Sequence, residues 1–124
     1  MIASLKGDEK LLHQGDIIWL DLEPAVGNEV KKRRPCLIVS NDSYNRYFNT
    51  VITVPISRSR KYLKKRKYIR SPNYVQIKQL KVQGTALLQQ ARAVDPKKRN
   101  ASKVEASISV LEMKKIRKAI SKFY

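Results

Sequence analysis

The sequence predicts a mainly β, α+β domain, a small barrel of short strands closed by one amphipathic helix at its C-terminal end. Three observations carry this reading. Runs rich in β-branched and aromatic residues recur between turn signals along residues 16–109, the pattern of a small closed sheet. One stretch of helical periodicity follows them. No repeat or linker interrupts the 124 residues, so residues 1–124 are expected to form a single domain.

Taken in order, residues 1–14 read as an irregular lead-in. DIIWLDL (16–22) follows Gly15 and has the composition of a strand. EPAVGNEVKKR (23–33) carries Pro, Gly, Asn and charge, the chemistry of a loop. RPCLIVS (34–40) is a near-continuous apolar run, expected to be a strand buried on both faces, with Pro35 at its start where a missing N–H does least harm. NDSYNRYF (41–48) reads as a turn or one helical turn capped by Asn41 or Asp42. TVITVPIS (50–57) is the third strand, and RSRKYLKKRKYIRSPN (58–73) a long basic loop or ribbon. YVQIKQL (74–80) alternates as a strand should. Gly84 is read as a break, TALLQQARAV (85–94) as resumed β structure, DPKKR (95–99) as a turn, and SKVEASIS (102–109) as holding a last short strand.

The final helix announces itself by a capping box, Ser109 and Glu112, in which each residue satisfies an orphan N–H of the other. Val110, Met113, Ile116, Ile120 and Phe123 recur at helical spacing and predict a packing face. Lys114, Lys115, Arg117, Lys118 and Lys122 cover the opposite side, several of them where the helix dipole favours cations.

Composition then narrows the function classes. An apolar fraction of 42% is too high for a disordered chain. No apolar run approaches a membrane-spanning length. Lys6, Asp8, Glu9 and Lys10 interrupt any signal-peptide core, which predicts a cytoplasmic protein. Cys36 and His13 are each the sole residue of their type, which excludes an intrachain disulfide, a thiolate metal cluster and a histidine pair. Cys36, inside PCLIV, reads as a small buried hydrophobe.

Charge is the strongest signal. Lys plus Arg total 27 against 10 acids, a net charge of +17. Between Asp42 and Asp95 there is no acid, while Arg46, Arg58, Arg60, Lys61, Lys64, Lys65, Arg66, Lys67, Arg70, Lys78, Lys81 and Arg92 all fall there. A solvated basic face would aid solubility, but so one-sided a block points to a polyanionic partner, nucleic acid above all.

Three stretches resemble the MazF/PemK toxin family. QGDIIWLDLEPAVGNEVKKRRPCLIVSNDSYN (14–45) carries a GD-start strand, a Gly-x-Glu loop and Arg-Pro ahead of a buried strand. VITVPIS (51–57) resembles the family's third strand, and LLQQARAVDPKKR (87–99) its Gln-x-Arg-x-x-Asp-x-x-Arg segment. Residues 58–73 match no motif of the family. The resemblance implies an SH3-like barrel that dimerises, cleaves single-stranded RNA at short sequences without metal or other cofactor, and is held by a cognate acidic antitoxin of the MazE type. It implies that Arg34, before Pro35, and Ser57, ending the third strand, are catalytic. Glu29, Gln90 and Arg92 correspond to family substrate-binding positions. Ser57 stands where the family usually has Thr, and Gln89 where an acid often precedes the Gln.

The chemistry fits these residue types. Metal-free RNA cleavage uses the substrate's own 2′-hydroxyl, leaving a 2′,3′-cyclic phosphate and a 5′-hydroxyl. The protein must move two protons and stabilise added charge on phosphorus. A guanidinium at Arg34 forks onto two phosphate oxygens; as a base it would be poor, because arginine deprotonates with difficulty. Ser57 can donate one hydrogen bond, and Glu29 can orient the 2′-hydroxyl or order its loop. Each also has a plainer reading: Arg34 as a surface cation, Ser57 as a strand-end hydroxyl, Glu29 as a solvated carboxylate, and Arg92 as half of a strand-face ion pair. Lys64, Lys65, Arg66 and Lys67 are expected to track the RNA backbone. Trp19, Tyr44, Tyr47, Tyr62 and Tyr68 offer stacking surface; Trp19 is expected in the core, while Tyr62 and Tyr68 lie in the basic ribbon where stacking is favoured. Two rival readings remain open at this point: a CcdB-like toxin of the same barrel acting on DNA gyrase, and a non-catalytic RNA-binding barrel.

Overall fold

A computed structural model describes residues 3–7, 10–22 and 33–123. The elements run β1 (Asp16–Asp21), β2 (Arg33–Ile38), α1 (Asp42–Tyr47), β3 (Val51–Ser57), α2 (Lys61–Lys64), α3 (Arg66–Ile69), β4 (Tyr74–Lys78) and β5 (Gln83–Leu87). A 3₁₀ turn (Leu88–Gln90), β6 (Arg92–Val94), β7 (Val104–Ser107), α4 (Val110–Ile120) and a final 3₁₀ turn (Ser121–Phe123) complete the chain. The strands form one antiparallel sheet in the order β4-β5-β3-β2-β1-β7, with β6 also paired to β3, and it curls into the half-barrel of a mainly β fold.

The curl comes from β3, which serves two partners. Its C-terminal end pairs Ile56 with Ala86 and Ser57 with Thr85 of β5. Its N-terminal end pairs Val51 with Val94 and Thr53 with Arg92 of β6. The chain changes from one partner position to the other through the 3₁₀ turn at Leu88–Gln90. The β structure expected continuously over 85–94 is therefore broken at its middle, because a single straight strand could not follow both ends of a curved neighbour. Gly84 is no break either; it lies inside β5, opposite Ile77.

Both faces of the central strands are covered, as the unbroken apolar runs imply. Ile17, Leu37, Val54 and Ile56 point to one core, where Met113, Ile116 and Ala119 of α4 close over them. Ile18, Leu20, Cys36, Ile38 and Val51 point to the other, filled out by Ala3, Leu5, Leu12 and Ala101. Alternation along a strand assigns neighbouring residues to opposite cores. Burial holds the Cys36 thiol at about 12, against the nearby positive charge of Arg92 and Arg34. The thiol is thus a packed hydrophobe with negligible thiolate.

The helix begins with the expected capping box: the Ser109 hydroxyl accepts from the Glu112 N–H at 3.1 Å, and the Glu112 carboxylate accepts from the Ser109 N–H at 3.1 Å. Its packing face differs from the expected stripe at one end. Val110 is 84% exposed and Ala119 is buried. Val110 is the first helical residue, and the contact with the sheet begins only one turn later, at Met113. At α1, Asn41 is the cap, accepting from the Tyr44 N–H at 2.8 Å.

Residues 58–73 are not an extended ribbon. They fold as the two single-turn helices α2 and α3, gathered around three tyrosines. Tyr62 stacks on Tyr74 at 5.4 Å between ring centres, and Tyr68 meets both rings edge-on at 4.8 Å. Lys61 and Lys67 hold their ammonium groups over the Tyr62 and Tyr68 rings, at 5.0 and 4.9 Å. A chain this basic avoids extension by giving its aromatic residues one another.

Candidate active site

The β1–β2 register decides what each arginine of the Arg-Pro segment meets. Asp21 pairs with Arg33, Leu20 with Arg34, and Trp19 with Pro35. Arg33 consequently has a carboxylate directly across from it, with Nη1 donating to Asp21 Oδ1 at 3.1 Å and Nη2 to the Asn100 carbonyl at 2.9 Å. Arg34 has a leucine. Among the described residues its guanidinium has no hydrogen-bond or ion-pair partner.

On its other side β2 runs against β3, pairing Cys36 with Pro55. Two residues further along the same register, Arg34 comes opposite Ser57. Both side chains line two clefts. One, of about 370 Å³, is bounded by Trp19, Arg33, Arg34, Pro35, Ile56, Ser57, Arg58 and Ser59. The other, of about 420 Å³, adds Leu22, Pro55, Lys61, Tyr62, Leu87 and Gln90 to Arg34, Ser57 and Ser59. Arg34, Ser57 and Ser59 therefore form the divide between the two. Beyond Trp19 a third cleft of about 280 Å³ continues along Arg58, Leu80, Lys81, Val82 and Gln83.

Ser57 is held where it is by its neighbours' backbone. It is 7% exposed, and its Oγ accepts from the Ser59 N–H at 3.2 Å. That uses the acceptor side of the hydroxyl and leaves its proton for a ligand. Gly84 fixes the carbonyl: a Cβ there would stand 2.6 Å from the Ser57 oxygen and 2.8 Å from Ile56 Cγ2. Only a residue without a side chain lets β5 approach this closely.

The chemistry of the divide is that of an anion site. The three clefts present Arg33, Arg34, Arg58, Lys61 and Lys81, together with serine hydroxyls and glutamine amides, and no carboxylate or imidazole among the described residues that line them. A guanidinium without a counter-ion beside a hydroxyl donor can grip a phosphate through two nitrogens and a hydroxyl.

The structure brings together Arg34, Ser57 and Gln90 of the residues expected from sequence. Arg92 sits on β6 across from Thr53, close enough to act electrostatically on Cys36, and does not line these clefts. Lys64, Lys65, Arg66 and Lys67 are exposed on α2 and α3, outside the clefts. Glu29 lies outside the described residues. Trp19, expected in the core, is a half-buried wall between two clefts. It pairs with Pro35 in the β1–β2 ladder, and both residues line the first of these clefts. Arg58, Ser59, Lys61 and Tyr62 join the site through tertiary placement; adjacency to Ser57 was the one signal that could have singled out Arg58.

Comparison with known proteins bears on the family and the fold. Residues 13–124 match the family described as PemK-like, MazF-like toxin of type II toxin–antitoxin system. Endoribonuclease MazF of Staphylococcus epidermidis is 33% identical over 92 residues, 71% of this chain and 72% of that protein. The fold is similar to the MazE–MazF structure (Form-II) from Deinococcus radiodurans, with a TM-score of 0.73 and 23% identity over 92% of this chain and 96% of that one. It is also similar to an endoribonuclease in complex with its cognate antitoxin from a mycobacterial species, with a TM-score of 0.62 and 19% identity over 90% and 91% of the two chains. No helix among the described residues is long and apolar enough to cross a membrane.

Proposed function

The chain belongs to the PemK-like, MazF-like toxins of type II toxin–antitoxin systems, and on that premise we propose that it is an endoribonuclease cutting single-stranded RNA at the Arg34–Ser57 divide. The observation that carries this reading is the Arg34 guanidinium, without a partner among the described residues, beside a hydroxyl at the meeting point of clefts that can hold the strand on either side. Arg34 takes two oxygens of the scissile phosphate and gains strength as the 2′-oxygen adds to phosphorus and charge accumulates. The P–O bond to the 5′-oxygen then breaks, giving a 2′,3′-cyclic phosphate and a 5′-hydroxyl. The Ser57 proton points to a non-bridging or leaving oxygen. The attacking hydroxyl's proton leaves to solvent or to Glu29, and the departing 5′-oxygen takes its proton from solvent.

Gln90, Arg58 and Lys81 hold the flanking phosphates and sugars. Arg92 supports the field at Arg34 from the same side of the sheet as Cys36. Lys64, Lys65, Arg66 and Lys67 add long-range attraction from α2 and α3. The active species is a homodimer in the cytoplasm, and an acidic antitoxin silences it by occupying the same cationic clefts. The test is incubation of the purified protein with RNA, with no gyrase and with chelator present, followed by analysis of the ends. Cuts at a short sequence bearing cyclic phosphate and 5′-hydroxyl support the reading. Intact RNA, or 5′-phosphate ends, overturns it.

A further inference from the structure

Among the described residues, Tyr62 is the one aromatic side chain lining the cleft that also holds Arg34, Ser57 and Gln90. It comes from residues 58–73, where the sequence shows no recognisable family motif. Its ring is not a loose surface tyrosine: Tyr74 stacks behind it and Tyr68 abuts its edge. Tyr74 is itself anchored, on strand β4 and by a hydrogen bond from Gln89 Nε2 to its hydroxyl at 3.0 Å. Lys61 stands over the Tyr62 ring and lines the same cleft. Leu22, Pro55 and Leu87 add apolar surface beside the ring.

We infer that this cleft is a stacking subsite for one nucleobase flanking the phosphate held by Arg34, with Tyr62 as its platform. Tyr68 and Tyr74 are positioning residues that hold the Tyr62 ring before RNA arrives. The inference rests on the proposed ribonuclease reading and adds to it a contact that reads a base face instead of a phosphate. A flat ring backed by two others loses little freedom on binding, so most of the stacking energy is kept. The Tyr62 ring with Leu22, Pro55 and Leu87 gives a flat base a surface to lie on, and Arg34 and Lys61 in the same cleft take the phosphates beside it, the combination that RNA supplies. Lys61, displaced from the ring by the incoming base, stays within reach of its phosphate. Stacking is tolerant of sequence because every base has a π-face. The subsite therefore contributes affinity and placement more than selectivity.

The experiment uses short mixed-sequence oligonucleotides with every 2′-hydroxyl methylated, so that they bind without being cut, and with one 5-iodouridine moved along the strand. Irradiation joins iodouridine to an aromatic ring it stacks on. The expected result is an adduct on Tyr62 from one position of the strand, absent in Y62A and retained in Y62F. Y62A should bind roughly 5- to 150-fold more weakly, with an unchanged salt dependence, because no phosphate contact is lost. Y74A should lower affinity while Y74F restores it, since the ring matters and the hydroxyl only steadies it. Adducts confined to other residues, or equal affinity of wild type and Y62A, overturn the subsite. So does a Y62A defect seen only with an acidic peptide. These results are separable from failure of the ribonuclease reading: a wild-type protein that crosslinks through Tyr62 yet cuts no RNA keeps the subsite and loses the enzyme.

Discussion

Arg33 and Arg34 are adjacent in sequence and opposite in fate. Arg33 faces Asp21 across the β1–β2 ladder and is spent on structure, tied to that carboxylate and to the Asn100 carbonyl. Arg34 faces Leu20 and Ser57 and is left with its charge uncompensated among the described residues. The same side chain is a fastener in one place and a ligand grip in the next because strand residues alternate and the register is fixed. Leu20 and Cys36 are buried in one core, and Ile17 and Leu37 in the other. A slip of one residue would exchange these sets, so the two hydrophobic cores hold the register that sets Arg33, and not Arg34, across from Asp21.

The largest effect expected from this contrast is on catalysis. Arg34→Ala should lower kcat/KM for RNA by about 10²–10³-fold, the range found when one preorganised donor to a developing anion is removed. Circular dichroism and thermal unfolding should match the wild type, because the guanidinium supports no ion pair in the described fold. Normal cleavage by a folded R34A protein would break the comparison at its functional end.

Ser57 should follow at a smaller scale. A neutral hydroxyl gives less to an anionic transition state than a cation does, about tenfold in kcat on the ordinary worth of one hydrogen bond. Ser57→Ala should show that loss, and Ser57→Thr should restore activity by supplying the hydroxyl again. Wild-type kinetics in S57A would leave Arg34 as the sole catalytic member of the pair.

Asp21→Asn probes the other arginine. It removes the charge that holds Arg33 and weakens the contact with Asn100, whose Nδ2 donates to Asp21 Oδ2 at 2.6 Å. A stability loss of about 1 kcal/mol is expected from a partly exposed pair, measured by urea unfolding. The cleavage rate should stay close to wild type. A collapse of activity comparable to R34A would mean that the two arginines act as a unit and the contrast between them is false.

The smallest effect belongs to His13 and Asp42, a pair in neither region. The hydrogen bond from the His13 ring at 2.8 Å holds the Asp42 carboxyl below its ordinary value, helped by the Gln14 N–H at 3.0 Å and opposed by slight burial. A depressed folded value means that the ionised form stabilises the fold above the unfolded value of 3.8, and that this contribution disappears as pH falls through the lower folded one. The melting temperature of Asp42→Asn should sit slightly below wild type in mildly acidic buffer and converge with it below pH 3.8. A gap that widened on acidification would reverse the assignment.

The sequence by itself determined the local and periodic features. The capping box at Ser109, a cap at Asn41 or Asp42, the strand cores and the doubly buried run after Pro35 all follow from chemistry within a few residues, and the structure has each of them, with Asn41 as the cap. The excess of positive charge was equally legible, as was the Arg-Pro segment that carries the family resemblance. Tertiary structure decided what depends on partners distant in the chain. It split residues 85–94 at a corner, because β3 curves and needs two different neighbours. It drew residues 58–73 into two helical turns around Tyr74, a ring contributed from beyond the segment itself. It turned Trp19 from an expected core residue into a cleft wall and left Val110 in water, since burial depends on where the covering element ends. Above all it chose between two adjacent arginines. Composition can count cations, but only strand register says which of them has been given an anion.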